Sequence, residues 1–173
     1  ASESLACQPL SGAIIALVQQ AQTIGELSDG LYDVTVGPLV ELWGFGARAR
    51  QRKPSSEQVQ SVLQYVGWDK VAVRDRCIAK KHPKVAIDLS SIAKGYAVDE
   101  LGRVLERAGV SNYLVDIGGE VRARGVNAKG LAWRVAVENP EGGMARQALQ
   151  TLSVNNLSVA TSGNYRNFFE QDG

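Results

Sequence analysis

Residues 85–99 read V-A-I-D-L-S-S-I-A-K-G-Y-A-V-D. Within three residues the pattern changes from a strand-like apolar triplet, Val85, Ala86 and Ile87, to a helical one. At the change stand an acid (Asp88), two hydroxyls (Ser90 and Ser91) and a lysine (Lys94). Asp88 or Ser90 can cap the new helix, which leaves backbone N–H groups free in its first turn. A helix start with spare donors and a partial positive charge suits phosphate, and Lys94 follows about one turn later. An Asp-x-Ser run before an apolar helix also serves as a plain cap. With Lys94 so near, the segment reads as an anion or nucleotide site.

Working outward, residues 10–27 place Ile14, Leu17, Val18, Ala21 and Ile24 at helical spacing behind Ser11, and Gly30 follows. This predicts an amphipathic helix with start and stop signals. Pro38 suits the first turn of a short helix over 38–42. Residues 48–56 are polar, carry Pro54 and read as a loop, and 57–65 read as a helix after Ser55 or Ser56. Residues 70–74 and 77–79 form a hairpin around Asp75 and Arg76. After a strand at Val85 comes a long helix, 92–108, ended by Gly109. Strands then dominate: 113–117, 120–124, 133–138, 148–154, 158–161 and 165–170, with turn-rich connectors at 125–130 and 139–143. Helices early and mostly antiparallel strands late predict an α+β fold, a single domain over residues 1–173.

The chain of 173 residues is long enough for one domain with a sizeable core. Apolar content of 45% beside 21% charged residues is that of a globular protein. A net charge of +1 excludes an electrostatic footprint for nucleic acid, and the basic run 48–53 is short enough for a solvated loop. No apolar stretch is long enough to span a bilayer. Two cysteines, Cys7 and Cys77, are too few for a disulfide framework. Cys77, among strand-like residues, reads as a small buried side chain. Cys7 lacks a charged and apolar leader and reads as incidental rather than as a lipid-attachment site. His82 is the lone histidine, in a lysine-flanked turn (K-K-H-P-K), and reads as a solvated loop residue. Trp43, Trp68 and Trp133 read as packing residues.

Three further segments carry information: G-L-Y-D-V-T-V-G-P-L-V-E-L-W-G-F-G (30–46), Y-L-V-D-I-G-G-E-V-R-A-R (113–124) and V-A-T-S-G-N-Y-R-N (159–167). Taken in this order with residues 85–99, they resemble the ApbE family, the FAD:protein FMN transferases related to thiamine-biosynthesis lipoproteins. The matching stretches run from about Leu10 to Gly173. The family's "T-fold" is compatible with the α+β pattern. Members are longer at both ends, so a stretch with flavin contacts is expected before Ala1. A His-Ile-Ile-Asp-Pro-like segment, then an Asp and a Thr that bind metal, is expected beyond Gly173, and the catalytic residues with it.

The resemblance implies roles residue by residue. The family's flavin-contacting tripeptide, usually Ala-Phe-Asp, falls on Leu31, Tyr32 and Asp33; a turn after the first helix, with Tyr32 in the core, is the alternative. Asp88 and Lys94 match FAD-binding positions, and Ser91 matches a metal-ligand position through its hydroxyl or its carbonyl. Gly118 and Gly119 match a strand bend that admits a ligand or simply a positive φ. Thr161, Ser162 and Gly163 match a turn near the flavin. Asp116 is a weaker match, and Tyr165 reads as core. The implied reaction moves FMN from FAD to a threonine hydroxyl of an acceptor protein, such as a redox-complex subunit, with Mg²⁺ as the metal and AMP as product. FAD hydrolysis to FMN and AMP, or flavin binding without catalysis, are the alternatives. The implied location is the periplasmic face of a bacterial cell envelope, with a lipid anchor through the missing N-terminus.

Overall fold

The computed structural model describes residues 4–46, 53–139 and 148–163. The chain divides into two compact units, the first running through Ile92 and the second beginning at Ala93.

The first unit contains β1 (Gln8–Pro9), α1 (Gly12–Leu27), α2 (Gly37–Leu42), α3 (Ser56–Leu63), a 3-10 turn (Trp68–Lys70), β2 (Val71–Arg74) and β3 (Cys77–Lys80). α1 starts where its sequence signals place it: the Ser11 hydroxyl accepts from the Ile14 N–H at 3.4 Å. Its buried residues, Ile15, Leu17, Val18, Ala21 and Gly25, follow helical spacing. Ile15 and Val18 meet Ile78 of β3, and Leu10, Trp68, Val71, Val73, Ile87 and Leu89 pack around them. The sheet under this core has the order β1-β3-β2 and is antiparallel. The expected hairpin pairs Val71 with Lys80 and Arg74 with Cys77 around Asp75 and Arg76. α3 opens on Ser55 with a reciprocal capping box to Gln58.

Two sequence expectations fail in this unit. Val85, Ala86 and Ile87 form no strand: Ala86 makes one parallel bridge, to Val36. The ladder cannot extend because the neighbouring segment of the same chain enters α2 at Gly37. Cys7 and Cys77, read as unconnected, form a disulfide. Pro9 lies opposite Cys77 in the β1–β3 pairing, which brings the two Cα atoms to 5.4 Å, within bridging range. A long-range strand pairing creates this proximity, and a count of cysteines cannot reveal it.

α4 (Ser90–Arg107) leads from the first unit into the second. It begins two residues earlier than its apolar spacing suggests. β4 (Tyr113–Ile117), β5 (Glu120–Arg124), β6 (Trp133–Glu138), β7 (Ala148–Val154) and β8 (Leu157–Val159) follow. β4, β5 and β8 form one antiparallel sheet in that order, and β6 pairs with β7 in another. β8 is shorter than predicted, and the strand expected at 165–170, with Tyr165, lies outside the described residues. Val98, Tyr113, Val121, Ala123 and Val154 are buried. Arg122 of β5 ties the sheet to α4, donating to Asp99 at 2.9 Å, to Glu106 at 3.2 Å and to the Tyr113 hydroxyl at 3.0 Å. The Tyr113 hydroxyl donates in turn to Glu106 at 2.6 Å. This bond first, then Arg122 and Arg124, holds the Glu106 carboxyl below the usual carboxylate range. Helices early and antiparallel strands late are thus the observed α+β arrangement.

The disulfide spans 70 residues of sequence. In the chain-entropy view a loop of that length restricts the unfolded state by about 4 kcal/mol, and measured losses are commonly about 2–5 kcal/mol. Replacing both cysteines by serine is expected to lower the urea midpoint of unfolding by a corresponding amount. An unchanged midpoint would show that the β1–β3 pairing holds this end of the sheet without the bridge.

Candidate functional site

In the first unit, two backbone segments far apart in sequence run side by side. The Asp88 N–H donates to the Val34 carbonyl at 2.7 Å, two residues beyond the Val36–Ala86 bridge. Val34 and Val85 are buried beneath them. Gly37 is required at this crossing, since a Cβ there would lie 2.8 Å from the Ala86 carbonyl oxygen. Tyr32 and Asp33 thereby line one cleft, of about 590 Å³, with Asp88, Ser90 and Ser91.

Hydrogen bonds fix its walls. The Tyr32 hydroxyl and the Ser91 hydroxyl are 2.7 Å apart. Asp33 Oδ1 accepts the Thr35 N–H at 2.7 Å. Thr35 is fully buried, and its hydroxyl oxygen accepts the Gly67 N–H at 2.6 Å. Asp88, rather than Ser90, serves as the cap: its Oδ1 accepts both the Ser90 N–H at 2.8 Å and the Ser90 hydroxyl at 2.5 Å. Leu31 also lines the cleft and is 92% exposed, so an apolar side chain stands free at the rim. Tyr32 lines the cleft rather than the core.

The other predicted residues lie in the second unit, where a second cluster forms around the β4–β5 turn. Gly118 and Gly119 make this two-residue hairpin with φ of +60° and +96°, the mirror-image turn that side chains with a Cβ resist. A Cβ on Gly118 would be 3.7 Å from Lys94 Cδ, and one on Gly119 would be 3.7 Å from the Thr161 hydroxyl oxygen. The turn therefore meets Lys94 on one side and Thr161 on the other. Asp116 Oδ1 accepts the Gly119 N–H at 3.0 Å. Lys94 Nζ is 2.7 Å from Glu120 Oε2. Ser162 and Gly163 follow Thr161 in exposed, irregular chain.

Sequence reasoning missed Thr35 and Glu120. Thr35 stood two residues from a singled-out acid, and Glu120 directly after the glycine pair. The position of a charged residue at the first place of a strand, next to a turn matched to a ligand, was the available signal for Glu120. His82 is an exposed turn residue as expected; its ring stacks on Tyr65 at 4.5 Å and its Nδ1 accepts the Lys84 N–H at 3.1 Å. Trp68 packs on the core, and the Trp133 indole N–H donates to the Arg124 carbonyl at 3.0 Å. Among the described residues no group of three His, Cys, Asp or Glu side chains could hold a metal ion. Hard oxygens nevertheless share the first cleft: the Ser91 hydroxyl and the carboxylates of Asp33 and Asp88, donors suited to a small divalent cation.

A family model described as the ApbE family matches residues 1–173. The FAD:protein FMN transferase of Escherichia coli (strain K12) is 39% identical over 178 residues, covering 99% of this chain and 50% of that protein. The protein of the same name from Vibrio cholerae serotype O1 is 39% identical over 165 residues, covering 95% of this chain and 49% of that one. The chain thus spans about half the length of the curated relatives it matches. Among solved structures, a flavin transferase ApbE from Vibrio cholerae superposes with a TM-score of 0.85 at 34% identity, over 98% of this chain and 55% of its own. A Pseudomonas stutzeri flavinyl transferase ApbE, in its apo form, does so with a TM-score of 0.82 at 34% identity, over 98% and 53%.

The crossing at Gly37 makes a checkable demand. Gly37→Ala must push residues 36–37 away from Ala86, and such overpacking typically costs about 1–3 kcal/mol. The variant is expected to unfold at lower urea than the parent protein. A parent-like midpoint would mean that the two segments separate without cost and that their contact does not hold the cleft.

Proposed function

This chain belongs to the ApbE family, and on that premise we propose that it forms the flavin-holding part of an FAD:protein FMN transferase. The observation that carries the proposal is the cleft itself. Two segments that match separate flavin- and metal-contacting motifs of the family share one wall, joined by a hydrogen bond between residues 59 apart.

In the proposed reaction a threonine hydroxyl of an acceptor protein attacks the FMN phosphorus of FAD. A P–O bond to the threonine oxygen forms as the bond to the bridging oxygen breaks. AMP leaves with that oxygen, and the threonine proton passes to a base. Such transfers depend on positioning and charge neutralisation more than on covalent help. Leu31 and Tyr32 offer apolar and aromatic surface to the ring system. Asp88 holds the start of α4 and offers its second carboxylate oxygen to a hydroxyl or amino group of the nucleotide. Lys94 offsets phosphate charge. Gly118 and Gly119 let a ligand approach backbone that no side chain covers, with the Thr161 hydroxyl beside it and Ser162 and Gly163 following. Mg²⁺ is the proposed metal, with Ser91 as one of its oxygen ligands; when bound, it would neutralise diphosphate charge. His82 takes no part.

The acceptor is proposed to be a protein with a threonine-bearing flavinylation motif, such as a subunit of a redox complex. The proposed location is the periplasmic face of the cell envelope, held by a lipid anchor. The Cys7–Cys77 disulfide supports an oxidising compartment, because disulfides persist there and are rare in reducing cytoplasm.

Asp88→Asn separates the cap from the ligand contact, because Asn caps helices as well as Asp does. The variant is expected to keep its melting temperature and to bind FAD about tenfold more weakly, in line with loss of a hydrogen bond to a charged group. Fluorescence titration of the full protein with FAD measures this, and unchanged affinity would leave Asp88 as a cap alone. With FAD, Mg²⁺ and acceptor together, a fluorescent acceptor on a denaturing gel is the expected product. AMP release without acceptor would identify a hydrolase instead.

A further inference from the structure

Lys94 is a long, flexible side chain that loses rotamer freedom when held in one place, and it is half exposed. An ammonium of that kind binds a phosphate at a defined place only when something holds it. The structure supplies one holder. Glu120 Oε2 lies 2.7 Å from Lys94 Nζ, and the Glu120 side chain is only 12% exposed. Its buried Oε2 has no hydrogen-bond partner among the described residues, so the ion pair with Lys94 is its compensation. Losing that partner would strand a charge in a nearly dry setting.

The backbone explains how the two meet. Glu120 is the first residue of β5 and pairs with Ile117 across the Gly118–Gly119 turn. Because both turn residues lack side chains, the aliphatic stem of Lys94 passes beside Gly118 and brings its ammonium to the root of the hairpin. An ion pair with one half-exposed partner adds little stability, so its consequence is chiefly geometric. An ammonium has three N–H donors. The charge contact with Glu120 fixes the nitrogen, and N–H donors remain for oxygens of an anionic group lying over the turn.

We propose that Glu120 is a positioning residue, which holds the Lys94 ammonium where it meets the diphosphate of the flavin nucleotide. The inference rests on the flavin-site reading of Lys94 and adds to it a residue that acts through Lys94 without touching the ligand.

A double-mutant cycle on the full protein tests it, with FAD as titrant and fluorescence as readout. Glu120→Gln, close to isosteric, is expected to weaken FAD binding about fivefold to tenfold, and Lys94→Met at least as much, within the usual range of coupling between contacting residues. In the Lys94→Met background, Glu120→Gln should change FAD affinity less than twofold. Glu120→Asp, which keeps the charge on a shorter stem, should recover part of the loss and provides a second variant if the amide folds poorly. An equal loss from Glu120→Gln with and without Lys94 would overturn the proposal, because Glu120 would then act on its own. So would parent-like affinity in Glu120→Gln beside a weakened Lys94→Met. If Lys94→Met binds FAD as the parent does, the flavin-site reading of Lys94 falls, and this inference falls with it.

Discussion

The first unit depends on one close backbone crossing. Where residues 34–37 pass 85–88, the chains come near enough for a hydrogen bond from Asp88 to Val34 and a bridge from Val36 to Ala86. They come too near for any residue but glycine at position 37. The cleft of this unit hangs from that crossing. It sets Tyr32 against Ser91, places Asp33 and Asp88 in the lining of one cleft, and delivers the capped start of α4 to its wall. Thr35 reinforces it from below, since its buried hydroxyl satisfies the Gly67 N–H and such a donor would be costly to bury alone.

In the second unit a turn plays the corresponding part. Two consecutive positive-φ residues make the β4–β5 hairpin tight, and they leave bare backbone between a cation and a hydroxyl. Arg122, on the following strand, joins Asp99, Glu106 and Tyr113 in one network that fastens the hairpin to α4. Partly exposed ion pairs of this kind are individually weak. Here several share one arginine whose planar group can satisfy them together, so the network sets orientation more than stability.

The small sheet of the first unit raises a different question of stability. β1 has two residues, too few for a strand to persist on backbone bonds alone. The disulfide to Cys77 joins it covalently to β3. An oxidising compartment preserves such a bond and a reducing one does not.

Much was legible in the residues themselves. Periodicity and capping signals located α1, α2 and α3 to within two or three residues, because these depend on local spacing and local hydrogen bonds. The hairpins at 75–76 and 118–119 were legible for the same reason: turn chemistry is local. The residues proposed for the site were visible as four separate motifs. Which of them meet was not visible, since Tyr32 finds Ser91, and Cys7 finds Cys77, only after strands and backbones distant in sequence have paired. The apolar triplet at 85–87 looked like a strand because its composition is strand-like, and tertiary structure denied it a ladder by turning its neighbour into a helix. Glu120 was a charged residue at a strand start until the fold set Lys94 beside it. Local physics wrote the elements into the sequence; the partners of each polar group were decided by long-range backbone pairing, to which no local pattern has access.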